Sequence, residues 1–543
     1  MQHHNQQNIQ TQPKKSYTKT LVLACVLCIF LLSVAVNYIN VNPLEPHASD
    51  EHAYIGLANR YIFLQNKTPL FFPWQPQGTG LLSYSLGIVS RVSSVSVEAV
   101  FRIAHVLTLL FIVLSSYRLG KVLSLRTAPL LIFTSLFALF PSTGTWQGPA
   151  GMTPSTLAII PILNIITNLI AKKWGRFSIW ILLLTLIHWW LLIPIAVFLF
   201  VYFLFHYTHS LSRFFITLGI IAIVSLFAQP LVKLYVPKFG SLMQSSKAIF
   251  EGTPYWGGTY YFQFLPSHVK YFLPIILPSF LYAVIQIYRL RKSDQKPTPL
   301  QTMGPLLLIT SILLLFMGGP MLLSRSITLF FIGTFLLVAY FFSFIVKKSA
   351  KLMPLLFGLL FIVDVVHVSQ TNAQQFFTQI SMTRAERFLI RQLQQNKNMQ
   401  GYLIVSDFNS MLNLTNYLDT PINILLDTTS PKYIGLDLRK LMTFFTTPAM
   451  SLQKYEFLDT LKTNTHSKVL YILVSDRTRV YANSFLTTGD PIGYRGVPRN
   501  FAIYGEVPAE RKLSTDPFKL ILKLKDTTDN SFATLYEYKP VIK

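Results

Sequence analysis

Residues 20–61 read TLVLACVLCIFLLSVAVNYINVNPLEPHASDEHAYIGLANRY. The stretch Thr20 to Ile39 carries no charge and, as a helix, is long enough to span about 30 Å of hydrocarbon. It follows a polar, Gln-rich start, Met1 to Gln12, and the basic cluster Lys14, Lys15 and Lys19. No small-x-small cleavage pattern follows convincingly, so the run reads as an uncleaved membrane helix with its N-terminus in the cytoplasm. The chain's two cysteines, Cys25 and Cys28, both fall inside this helix. That excludes a disulfide framework or a zinc ribbon and leaves their C-x-x-C spacing as helix filler.

The rest of the 543 residues agrees with a membrane chain: 51% are hydrophobic and 13% charged, where soluble domains carry roughly 25% charged residues. Mean hydropathy is +0.44. The formal charge of +25 would suit a nucleic-acid binder, but the basic residues sit mostly between long apolar runs. Those runs lie near 98–117, 127–141, 154–171, 177–188, 190–206, 213–232, 271–288, 303–319, 326–346 and 352–368. With the first they predict about eleven crossings, and the positive-inside rule supports the count. Every second connection is basic: Arg118, Lys121 and Arg126; Lys172, Lys173 and Arg176; His206, His209 and Arg213; Arg289, Arg291, Lys292 and Lys296; Lys347, Lys348 and Lys351. Within 177–206, His188, Trp189 and Trp190 divide two short runs, and counting them as two crossings keeps the later loops in phase.

The long connections 40–97, 142–153 and 233–270 then fall on the outer side, with everything after about residue 370. There the composition becomes mixed and polar: an amphipathic stretch from Thr383 to Gln395, then strand-like runs at Tyr402–Ser406, Val469–Val474, Phe518–Leu524 and Phe532–Tyr538. The expected fold is a polytopic α-helical membrane protein with a C-terminal extracytoplasmic α/β domain. Its divisions are a cytoplasmic tail, 1–19, a transmembrane domain, 20–371, whose first outer loop is 40–97, and an outer domain, 372–543.

That first loop holds Asp50 and Glu51 where a helix begins, after Ser49 as a cap. Tyr54, Leu57, Ala58 and Tyr61 follow at helical spacing, which predicts an amphipathic helix along the membrane surface beneath the acidic pair. A carboxylate held at such an interface is placed to act as a base on a lipid-linked substrate. The acidic pair just after the first membrane helix, the run Y-I-G-L-A-N-R-Y-I and the short amphipathic run 78–90 resemble the GT-C glycosyltransferases. This polytopic class uses polyprenyl-phosphate sugars and includes aminoarabinose transferases, protein O-mannosyltransferases and oligosaccharyltransferases.

The resemblance implies transfer of a sugar from a polyprenyl-phosphate carrier to a glycan, lipid or protein on the outer face of a membrane, expected to be a bacterial plasma membrane. It makes Asp50 the general base or an acceptor-positioning group, with Glu51 orienting the acceptor or assisting a divalent metal and His52 and Tyr54 beside them binding substrate. Many relatives carry a second acidic residue in the next outer loop, yet 141–156 reads PSTGTWQGPAGMTPST and contains none. A metal site built on two loops therefore lacks its oxygen donors, with Glu98 and Glu251 as the substitutes at hand.

A departing lipid phosphate needs cations. Loop 233–270 interleaves Lys233, Lys238 and Lys247 with aromatics that include Trp256, in a stretch G-T-P-Y-W-G-G-T whose glycines permit a mobile flap. Arg325, after Gly318-Gly319-Pro320 at the outer end of a helix, is the strongest single phosphate ligand, because a guanidinium there requires water or an anion. Asp364 and His367 share a helix face as a local polar contact, and His188 beside two tryptophans reads as interfacial packing. A flippase or sugar transporter, the alternative, would line a path with mid-helix ionisable residues, and few occur.

Overall fold

The computed structural model describes residues 14–38, 51, 54–55, 58–59, 80–139, 151–188, 191–208, 210–235, 276–348, 383–395, 402–407, 410, 438–447, 452–464, 469–488, 510–513, 515–527 and 531–539. Helix α1 is Lys14–Tyr38, α2 is Gly80–Ser93, α3 is Val97–Val122, α4 is Thr127–Leu139 and α5 is Pro154–Ile170. Helices α6, Trp174–His188, α7, Leu192–Tyr207, and α8, Leu211–Tyr235, follow. The sequence-predicted division at His188 is real, since α6 ends there and α7 starts as a separate helix.

Among the described residues, three helices are long and apolar enough to cross a membrane: Thr20–Tyr38, Val97–Val122 and Ser326–Phe344. Shorter apolar helices match the runs at 127, 154, 177, 190, 213 and 303. The run at 352–368 lies outside the described residues, as do Asp364 and His367. Helix α3 shows why these are membrane helices. Its Ile103, Leu107, Phe111 and Leu114 are exposed at helical spacing, while Arg102, His105, Thr108 and Ser116 are buried. Polar inside and apolar outside inverts the pattern of a water-soluble helix and suits a lipid surround.

Three basic connections close in one way. Ser124, Lys172 and Asp294, each just past a helix end, have positive φ of 59°, 54° and 53°. Lys173 N–H reaches Asn168 O at 2.9 Å, Leu125 N–H reaches Gly120 O at 3.0 Å and Gln295 N–H reaches Leu290 O at 2.8 Å. These are Schellman-type ends, in which a left-handed residue lets the chain satisfy the last carbonyls and reverse at once.

Helices α9, 276–292, and α10, Pro299–Lys348, are the last described helices of the apolar part. A straight helix of 50 residues would measure about 75 Å, over twice the hydrocarbon thickness. Helix α10 instead doubles back. Ser311 Oγ donates to Ser326 O at 3.4 Å, and a Cβ on Gly333 would stand 3.0 Å from Gly304 O. Two glycines let the arms of the hairpin approach backbone to backbone. The expected pair of crossings at 303–319 and 326–346 is therefore one folded element, packed on α4, α7 and α8 around Phe137, Phe198, Phe214 and Phe335.

The C-terminal part has its own core. Helix α11, Arg384–Gln395, precedes β1, Tyr402–Val405; α12, Leu438–Thr446, and α13, Leu452–Asn464, precede β2, Val469–Ser475. Then come α14, Asp476–Thr488, α15, Glu510–Leu513, β3, Phe518–Lys525, and β4, Phe532–Tyr538. The sheet order is β1-β2-β4-β3, with β1 parallel to β2 and the other pairs antiparallel. Leu389, Phe445, Ile472 and Leu535 meet in its core. Where β1 and β2 end, Glu386 is buried against Arg477, at 3.1 Å, and accepts from Ser410 and Ser475. Asp476 opens α14 and accepts the N–H of Phe532 at 2.7 Å, tying β2 to the start of β4. Burial pushes the Asp476 carboxyl up to about 6, partly offset by that N–H.

Candidate active site

Glu51 is buried completely. Its position follows from helical periodicity: Glu51, Tyr54, Ile55 and Ala58 lie on one face and pack with Val97, Phe101 and Met152. The sequence expectation of a helix resting on the membrane surface is thereby altered, because the face that carries Tyr54 and Ala58 turns into protein. Leu57 and Tyr61 lie outside the described residues.

On that face Glu51 is bound by two elements. Arg102 of α3 donates from Nη1 to Oε1 at 2.9 Å and from Nη2 to Oε2 at 2.7 Å, a bidentate pair. The backbone N–H of Met152 donates to Oε1 at 3.1 Å. Met152 precedes Thr153, whose hydroxyl caps α5 by accepting from Thr156 N–H, with Pro154 at the first helical position. The carboxylate therefore stands at the positive end of α5 as well as against a guanidinium. One side chain joins the segment between α1 and α2, the start of α3 and the residue just before the α5 cap.

A second polar layer lies alongside. Arg102 is hydrogen-bonded to Tyr38 at the end of α1, and Tyr38 Oη is 2.8 Å from His105 Nδ1. Thr108, one turn further, contacts the Met152 sulfur at 3.4 Å. Sequence reasoning missed Tyr38, Arg102 and His105. A signal for Arg102 existed, since a lone arginine inside an apolar run demands a buried anion or a water path.

The acid-free second loop contributes a backbone donor in place of a carboxylate, so it does take part in the site. Glu98 sits in the first turn of α3, which Ser96 caps, a position that favours acids for structural reasons. His188 is buried at the end of α6. Asp50, His52, Lys238, Lys247, Glu251 and Trp256 lie outside the described residues. Lys233 and Arg325 belong to α8 and α10, but their side chains are outside the described ones. Among the described residues, no three His, Cys, Asp or Glu side chains gather as a metal site. Both oxygens of Glu51 are committed to Arg102 and Met152, so Glu51 does not fit as a metal ligand.

No protein-family model and no curated protein matches the chain by sequence. The fold does have matches. The apo crystal structure of the Archaeoglobus fulgidus oligosaccharyltransferase aligns with a TM-score of 0.59 over 95% of this chain and 81% of its own, at 12% identity. The chain shares the fold of that enzyme. The same archaeal enzyme tethered to an acceptor peptide with the NVT sequon aligns at 0.58, 12% identical, over 94% of this chain and 80% of that one. Its complex with an inhibitory peptide and dolichol-phosphate aligns at 0.54, 12% identical, over 87% and 71%. In this fold the Glu51–Arg102 pair joins the segment after α1 to the start of α3.

Proposed function

We propose that this chain transfers a sugar from a polyprenyl-phosphate carrier to an acceptor glycan, lipid or protein at the outer face of a membrane. The observation that carries the reading is the buried Glu51–Arg102 ion pair on a GT-C fold. Breaking such a pair costs several kcal/mol, so it fixes the beginning of the first outer loop firmly. Adjacent side chains do not share a helix face, and Glu51 is committed inward. Asp50 is thus assigned the reactive role, as the base that takes the acceptor hydroxyl's proton, and Glu51 becomes a positioning residue. Support for a lipid-phosphate carrier comes from the archaeal structure of the same fold that holds dolichol-phosphate.

In this reading the acceptor oxygen attacks the anomeric carbon while Asp50 removes its proton, and the polyprenyl phosphate departs with the electrons of the broken C–O bond. Arg325 and one or more of Lys233, Lys238 and Lys247 receive the phosphate's charge; His52 and Trp256 border the sugar, while Tyr54, buried against Val97, Phe101 and Met152, is given no contact with it. A phosphate leaving group needs no strong acid. Glu51 is given no metal to hold. The division into a tail at 1–19, a membrane part at 20–371 and an outer domain from 372 completes the proposal.

The test is release of polyprenyl phosphate from a panel of polyprenyl-phosphate sugars by the purified protein in nanodiscs, with glycan, lipid and peptide acceptors offered separately. Acceptor-dependent release supports transfer. Movement of intact donor across the bilayer without release supports the transporter alternative instead.

A further inference from the structure

Glu51, Arg102, Tyr38 and His105 form one hydrogen-bonded relay drawn from three parts of the sequence. Arg102 and His105 are three residues apart on α3 and share a face, and Tyr38 ends α1. The chemistry of these groups gives the relay a direction. A guanidinium only donates, so Arg102 donates to Glu51 on one side and to Tyr38 Oη on the other. The phenol has one hydrogen; having accepted from Arg102, it gives that hydrogen to His105 Nδ1, 2.8 Å away. Nδ1 then carries no proton, and the ring's own proton sits on Nε2. A proton on Nδ1 would aim a second donor at the same oxygen. A doubly protonated ring would also set a second cation beside Arg102, where His105 is 0% and Arg102 6% exposed.

A one-way relay does more than pack. A hydroxyl that rotates freely can offer Arg102 either its lone pair or its hydrogen, and only the lone pair holds a guanidinium. By taking the hydrogen, His105 leaves the lone pair turned to Arg102. The end of α1 is fixed for this: Ser33 Oγ donates to Ala138 O at 2.7 Å, tying α1 to α4, and Asn37 Nδ2 donates to Ser33 O at 2.8 Å. The Tyr38 and His105 rings lie 5.7 Å apart, centre to centre. We propose that Tyr38 and His105 are positioning residues of the candidate site, which hold Arg102, and through it Glu51, by a relay that runs one way from the guanidinium to Nδ1. Only its effect on turnover rests on the proposed transfer.

The test uses the full chain in nanodiscs with ¹⁵N-labelled histidine, and compares His105→Asn, His105→Leu and Tyr38→Phe with the parent. Asparagine keeps an acceptor oxygen close to the place of Nδ1, leucine removes it, and phenylalanine removes the hydroxyl alone. In the parent the His105 nitrogen resonances, assigned by their loss in His105→Asn, should report a proton on Nε2 and none on Nδ1. Exchange of the Met152 amide, which reads the grip on Glu51, should quicken about tenfold in His105→Leu and Tyr38→Phe and stay parental in His105→Asn. Turnover should fall in the same two variants through kcat, with KM kept. A proton on Nδ1, exchange in His105→Asn as fast as in His105→Leu, or parental exchange in Tyr38→Phe overturns the proposal. A parent without turnover counts against the transfer reading alone, because the first two readouts do not need it. If His105→Leu does not fold, Tyr38→Phe set against His105→Asn makes the same comparison.

Discussion

Replacing Arg102 with methionine keeps the length and apolar body of the side chain and removes the charge, which leaves Glu51 buried without its counter-ion. Arg102 donates two hydrogen bonds to that carboxylate, at 2.9 and 2.7 Å, and the Met152 N–H donates another at 3.1 Å. The remaining Met152 N–H cannot offset the desolvation of a full charge, and the expected loss is ~3–5 kcal/mol. A neutral hydrogen bond alone would cost only ~0.5–1.5 kcal/mol, so the two causes are distinguishable. Glu51→Leu removes the guanidinium's counter-ion instead and should cost about as much. The double change Glu51→Leu with Arg102→Met removes both charges and should recover most of the stability, because a buried pair replaced by apolar side chains is close to neutral. The assay is thermal unfolding of detergent-solubilised protein together with limited proteolysis of the first outer loop, for the four members of the cycle. Single variants within about 1 kcal/mol of the parent, or a double variant showing the sum of the two losses, would refute the argument.

Other expectations follow from the same description. Asp476 has a folded pKa of about 6, above the ~3.9 of an unfolded aspartate. Its protonated form is favoured by folding, so this contribution is fully present below about pH 4 and lost as pH rises through about 6. Asp476→Asn, which still accepts from Phe532 N–H, should flatten that part of the melting-temperature profile; an unchanged profile would show that Asp476 is not its source. Gly333→Val puts a branched side chain where a Cβ alone would stand 3.0 Å from Gly304 O, and should open the α10 hairpin. Loss of a cysteine cross-link between positions 311 and 326 would register that opening, whereas normal cross-linking would contradict it. Reporter fusions should place residues after 372 outside the cytoplasm and the N-terminal tail within it; both ends on one side would overturn the topology.

Much of this fold was legible because the signals are local. Each of the four strands began within a residue of its alternating run, and α11 filled the amphipathic stretch from Thr383 to Gln395. Apolar length and basic punctuation located the membrane helices for the same reason: burial in lipid is decided residue by residue. The sheet order, with β4 inserted between β2 and β3, was hidden because strand pairing depends on partners far along the chain. The site was half legible. Asp50-Glu51 drew attention as an acidic pair after an apolar helix, but that Glu51 faces inward is revealed only by its partner. That partner, Arg102, is 51 residues away, and Met152 contributes a backbone N–H that no side-chain motif could announce.

The central claim is that Asp50 performs chemistry while Glu51 holds the loop. It is tested most directly by turnover of a polyprenyl-phosphate sugar by Asp50→Asn in nanodiscs, beside the parent and with folding verified by the same melting temperature. Asparagine preserves shape and helix-capping ability but cannot take a proton, so the account predicts a loss of ~10²–10⁴ in rate with stability unchanged. Near-normal turnover by the folded Asp50→Asn protein would contradict it.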